Sequence, residues 1–157
     1  MDAIIESPTI DPANGPLVES ILRALPEWFG IEDAIIHYRD FAAAHPTLIA
    51  KVAGAPVGCL AIMQHSPFAA EVYVMGVLPE FHGQGIGRML VQSAEGWLIE
   101  QGVEYLQVKT LADTHPDPGY AKTRLFYEKM GFRPLEVFPT LWGEANPCLV
   151  MVKRVPG

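Results

Sequence analysis

The chain has 157 residues, of which 50% are hydrophobic, enough for one domain built on a substantial core. A formal charge of −7 and a pI near 5.1 argue against a general nucleic-acid binder, although a local basic patch can still hold an anionic ligand. Cys59 and Cys148 each lie in an apolar run, which suggests two buried thiols and neither a disulfide framework nor a CxxC metal site.

The opening MDAIIESPTIDPANG carries acids where a signal peptide needs a basic region, and it has no long apolar stretch. Nowhere do about 18 apolar residues run together. These features predict a cytoplasmic protein of one domain, residues 1–157. A short apolar stretch at Ile4–Ile5 is a candidate first strand. After the turn-rich Asp11–Pro16, Leu17, Val18, Ile21, Leu22 and Leu25 recur at helical spacing up to Pro26. A second helix is predicted over Ile31–Ala44, ended by His45-Pro46 because the residue before a proline disfavours the α region. Thr47–Val52 and Pro56–Met63 read as strands joined by a glycine-containing link that suits an antiparallel hairpin, and Glu71–Leu78 as the next strand. Helical period then runs from Gly87 to about residue 101, before Gly102. A strand over Val103–Thr110, a helix over Ala121–Met130 and final strands over Phe132–Phe138 and Leu149–Val155 complete the chain. The order predicts a mixed α/β or α+β sheet.

Between the third of these strands and the helix after it lies PEFHGQGIGR, Pro79–Arg88, with Gly83, Gly85 and Gly87. At a helix N-terminus the first backbone N–H groups lack intrahelical partners, and the peptide dipoles place positive partial charge there. Glycines let a phosphate come close and let several amides point at it. A Walker loop would end in GK[ST], and a dinucleotide fingerprint would read GxGxxG at the first βα turn; neither is present. A glycine-rich turn shaped only for packing is the alternative.

Val77–Leu90 resembles motif A of the GNAT superfamily, the acetyl-CoA-dependent N-acetyltransferases: Gly85 and Gly87 match the family's glycine positions, and His82 stands at its Arg or Gln position. Thr123–Phe132, TRLFYEKMGF, resembles the family's motif B helix, with Tyr120 and Thr123 at its usual Asn and Ala positions. The resemblance implies a mostly antiparallel central sheet, flanked by helices, that splits after the strand Glu71–Leu78, the fourth if Ile4–Ile5 is counted. Acetyl-CoA would occupy the split. Its pyrophosphate would lie on the amides of His82, Gly83, Gln84, Gly85, Ile86, Gly87 and Arg88, and its pantetheine arm would pair with the backbone of Met75 and Val77. Arg88 and Lys122 would assist the anionic end, or be solvated charges.

The resemblance further implies Tyr127 as the acid that protonates the departing sulfur, the alternative being a core tyrosine. It points to Glu71 as the base, because AEVYVMGV resembles the strand that carries a glutamate base in the family's histone acetyltransferases; a solvated carboxylate with a water relay is the alternative. By period two, Glu71 is expected to share a strand face with Tyr73, Met75 and Val77. A backbone N–H near Val77 would stabilise the oxyanion. His37, His65, His82 and His115 lie in no recognisable catalytic pairing; His115, in the loop Asp113–Gly119, is the strongest competitor as base. That loop and the first two helices, with Trp28, Phe29 and Tyr38, are expected to flank the acceptor, with Trp142 and Asn146 either closing the site or packing. The implied activity is N-acetyl transfer to a primary amine of a small molecule or peptide, without a metal, nucleic acid or membrane; the acidic surface favours a cationic acceptor. A non-catalytic acyl-CoA-binding regulatory module is the alternative function, and a homodimer is left open.

Overall fold

The structure is a computed structural model that describes residues 2–156. Strand β1 (Ala3–Ile5) precedes helices α1 (Asn14–Arg23) and α2 (Glu32–Ala44). Strands β2 (Thr47–Val52), β3 (Ala55–Gln64) and β4 (Ala69–Val77) follow, then α3 (Ile86–Glu100), β5 (Tyr105–Leu111), α4 (Pro118–Lys129), β6 (Arg133–Phe138) and β7 (Cys148–Arg154). The element order agrees with the sequence reading; a one-turn 3-10 helix at Pro79–Phe81 is an addition, too short for periodicity to reveal. Helix α1 starts three residues earlier than its apolar pattern, since a proline such as Pro16 is tolerated in a first turn. Helix α2 ends where expected, with His45 extended ahead of Pro46. In the β2–β3 hairpin, Val52 pairs with Ala55, which leaves Ala53 and Gly54 as a two-residue turn with φ of 52° and 81°.

The seven strands form one sheet in the order β1-β2-β3-β4-β5-β7-β6, antiparallel throughout except for β4 with β5. Parallel neighbours need a crossover, which α3 supplies. Strands β4 and β5 pair only from Ala69–Val72 to Tyr105–Val108. Beyond that point β4 runs on to Val77 and β5 to Leu111 without pairing to each other, so the sheet opens after β4 as expected.

Apolar side chains cover both faces of the sheet. On one, Leu60, Ile62, Val72 and Val108 pack with Leu90 and Leu98 of α3 and with Phe132; on the other, Cys59, Ala61 and Val74 pack with Val18 and Leu22 of α1 and Phe41 of α2. Both cysteines are buried and free.

Strand β4 departs from the simple alternation. Ile62 pairs with Val72 and Ala61 with Val74, so Tyr73 is an extra residue in a β-bulge. One inserted residue reverses the facing of everything beyond it. Tyr73 therefore packs on the α1–α2 side, where Glu71 also points, while Met75 and Val77 pack on the α3 side. The expected single face for Glu71, Tyr73, Met75 and Val77 is corrected: it assumed an unbroken period of two.

Candidate active site

Where β4 and β5 part, the chain encloses a cleft of about 900 Å3. The end of β4, the glycine turn and the first turn of α3 form one wall; β5 and α4 form the opposite wall; the α1–α2 connection, α2 and the β6–β7 loop close the third side.

The start of α3 is built to leave amides free. Gly85, its N-cap, has φ of 81°, the left-handed region that a side-chain-bearing residue rarely adopts, and it offers no capping side chain. The first helical bond is Met89 N–H to the Gly85 carbonyl at 3.0 Å. The N–H groups of Ile86, Gly87 and Arg88 thus precede any intrahelical partner, and no acid sits in this turn. A Cβ on Gly85 would meet nothing within 4 Å, because that side of the turn is open space. A Cβ on Gly87 would stand 3.2 Å from Phe126, so glycine lets α4 approach α3 here. His82, Gly83, Gly85, Ile86, Gly87, Arg88 and Lys122 all line the cleft, the last two as exposed cations. Gln84 does not line it; its amide turns back to the Glu80 carbonyl at 3.2 Å.

Leu78 N–H donates to the Val57 carbonyl at 2.8 Å, which sets the alternation along this part of β4. Gly76 bonds towards β3, so Met75 and Val77 turn their backbone groups to the split. The Val77 carbonyl accepts from His82 Nε2 at 2.6 Å, while its N–H and both Met75 groups face the split.

Tyr127 of α4 lines the cleft and is almost fully buried. Burial, with smaller contributions from the Tyr120 and Tyr38 phenols, pushes its pKa well above the ordinary phenol range. Thr110 of β5 also lines the cleft; it is buried and its Oγ1 has no hydrogen-bond partner. A buried hydroxyl without a partner is costly, and its place in the split marks it for a ligand or water.

Glu71 lies on the α1–α2 side, 2% exposed. Its Oε1 accepts from His65 Nε2 at 2.6 Å, Gln107 Nε2 at 3.0 Å and Lys109 Nζ at 3.1 Å. The parallel register pairs Glu71 with Gln107 and puts Lys109 two residues along the same face; His65 comes from the β3–β4 turn. The sequence reading found no pairing for the histidines, and this one corrects it. His37 has a partner too, since its Nε2 lies 2.7 Å from the Tyr73 hydroxyl. His115 and Asn146 do not line the cleft. Trp28, Phe29, Tyr38 and Trp142 do.

Trp28 joins the two halves of the site. Its Nε1 donates to Thr123 Oγ1 at 3.2 Å, its carbonyl accepts from the Tyr120 hydroxyl at 3.0 Å, and its ring meets that of His82 edge-on at 6.0 Å. Tyr120 and Thr123, which depart from the motif B pattern, thus form one lock, whose members are more than 90 residues apart in the chain.

A family model described as an acetyltransferase (GNAT) domain matches residues 43–134. An uncharacterized N-acetyltransferase of Chlorobaculum tepidum is 34% identical over 121 residues, covering 75% of this chain and 67% of that one. The chain belongs to the GNAT acetyltransferase family. The fold is shared with a protein from Desulfovibrio desulfuricans assigned to that family, at TM-score 0.82 and 18% identity over 99% of this chain and 100% of that one. It is also shared with an aminoglycoside 6'-N-acetyltransferase solved with coenzyme A, at TM-score 0.76 and 20% identity over 98% of each chain. Among the described residues, no helix is long and apolar enough to cross a membrane.

Proposed function

We propose that this protein is an acetyl-CoA-dependent N-acetyltransferase that acts on a primary amine. What supports the reading is the convergence in one cleft of the uncapped α3 N-terminus, the open edge of β4, a buried phenol and a buried carboxylate. The residues fit CoA. The amides of Gly83, Gly85, Ile86, Gly87 and Arg88 would take the pyrophosphate, with Arg88 and Lys122 at the mouth. The His82 N–H already donates to the Pro79 carbonyl at 3.2 Å, and Gln84 lies outside the cleft. Met75 and the Val77 N–H would pair with the amides of the pantetheine arm, and the unpartnered Thr110 hydroxyl would bond to the same arm.

Acetyl-CoA supplies an acetyl group activated as a thioester. Glu71 orients the incoming amine and, directly or through one water, receives the proton that the nitrogen loses on forming its bond to the acetyl carbon. Three donors on Oε1 leave Oε2 as the oxygen for that task. A backbone N–H near Val77 faces the oxyanion. As the carbon–sulfur bond breaks, Tyr127 gives its phenolic proton to the sulfur. Its raised pKa keeps that proton in place at neutral and mildly alkaline pH.

The test is Tyr127→Phe. Turnover, followed by thiol release, should fall by roughly 10²- to 10⁴-fold while calorimetric CoA affinity stays within about threefold. Unchanged turnover would remove Tyr127 from the mechanism. Wild-type protein that binds CoA yet acetylates none of a broad amine panel would instead be an acyl-CoA-binding module.

A further inference from the structure

The acceptor half of the cleft has a composition that the chain's overall charge does not foretell. Among the acids of the described residues, only Glu27 and Glu71 line the cleft, against the cations Arg88, Lys109 and Lys122. Glu71 is already matched by Lys109 and His65. Several ammonium groups at once would therefore find almost no free carboxylate here. Nor does the acidity of the surface reach the place where the acceptor must sit.

Rings line it instead. Phe29 and Tyr38 meet edge to face at 6.0 Å, and Tyr38 meets Tyr73 the same way at 5.7 Å. Tyr73 is held from behind by stacking on Phe41 at 4.1 Å and by the His37 contact to its hydroxyl. This shelf is thus set before any acceptor arrives, and burial has pushed the Tyr38 phenol up to about 12, so it presents a neutral ring. The β6–β7 loop adds Leu141 and Trp142 to this side of the cleft, and they remain 56% and 40% exposed while lining it. Large apolar groups left open beside a pocket gain when a flat apolar body covers them.

Resting on the acetyltransferase reading above, we propose that the acceptor is an arylalkylamine: one primary amine on a short arm from an aromatic ring, the ring lying between the Phe29–Tyr38–Tyr73 shelf and Trp142, the amine directed at Glu71. The aromatic faces draw the amine in as its ammonium form, which returns its extra proton to bulk water so that the neutral nitrogen is the nucleophile. Glu71, held near the split, then meets the nitrogen. The same lining disfavours polyamines and aminoglycosides, whose extra charges would lose water without gaining carboxylates, and a peptide terminus, whose amides would face rings.

Steady-state acetylation by the full chain is measured with 2-phenylethylamine and tryptamine against n-hexylamine, spermidine, kanamycin and an alanine-terminated peptide. The expected result is a kcat/KM for the two aromatic amines at least about tenfold above each of the others, the ring's burial supplying the difference. Trp142→Ala should shrink the ratio of 2-phenylethylamine to n-hexylamine by about fivefold or more, with calorimetric CoA binding confirming a folded protein. Transfer that proceeds equally well to hexylamine, or better to spermidine, kanamycin or the peptide, overturns the inference and leaves the acetyltransferase reading intact. CoA binding without transfer to any amine overturns both.

Discussion

Helices α3 and α4 both begin at the cleft, yet their first turns are finished in opposite ways. At α4, Asp117 accepts from Gly119 N–H at 2.8 Å and Tyr120 N–H at 3.3 Å, and Pro118 occupies the first helical position, where an N–H would be unsatisfied anyway. At α3, left-handed Gly85 supplies no side chain, and the first amides are bare. A helix that satisfies its own amides gains stability and loses the capacity to bind an anion there. The difference separates a helix start closed by its own side chain from one whose first amides stay free to meet an anion.

The sharpest way to break the contrast is Gly85→Val. A β-branched residue at φ of 81° costs about 1–3 kcal/mol of strain, and its side chain enters the open space beside the bare amides. CoA affinity by calorimetry should fall more than about 100-fold while circular dichroism stays native. Affinity retained within tenfold would mean that the anion does not sit at α3.

Thr110→Val ranks next, because it deletes one hydroxyl that the protein itself leaves unpaired. CoA affinity should drop about threefold to tenfold, the worth of one net hydrogen bond. The melting temperature of the free protein should hold or rise, since a desolvated group without a partner has gone. A fall in melting temperature with unchanged affinity would mark the hydroxyl as structural.

Asp117→Ala tests the other helix. Loss of a cap costs roughly 1 kcal/mol, which in a chain of this size lowers the melting temperature by about 2–4 °C. CoA affinity should change by less than about twofold. A large loss of affinity would show that α4's start also serves the ligand.

Both helix starts were legible in the sequence, though unequally. The glycine turn stood out, whereas α4 was expected from Ala121 and begins at Pro118. The Asp-Pro pair was an available signal, since it combines a capping residue with a proline at the first helical position. Local pattern also gave each long strand, and the family resemblance implied the split after β4. What it could not give depends on neighbours distant in the chain. The Tyr73 bulge exists only in the pairing of β4 with β3, and it alone decides that Glu71 and Met75 face opposite ways. The partners of Glu71 come from a hairpin turn and a parallel strand, and no short motif joins His65, Gln107 and Lys109.

His82 shows how such distant contacts can replace a family residue. Its Nε2 donates to the Val77 carbonyl and its ring abuts Trp28, which is itself locked to Thr123 and Tyr120 near the start of α4. His82 thus joins the open helix start to the closed one. His82→Ala leaves every amide of the α3 turn in place, so CoA affinity should weaken by only about twofold to fivefold. It also frees the Val77 carbonyl and removes the ring beside Trp28, so the second sign should be spectroscopic. Trp28 fluorescence, read in a Trp97→Phe, Trp142→Phe background, should become more accessible to acrylamide. A loss of affinity approaching that of Gly85→Val would move His82 from this supporting position to direct contact with the ligand.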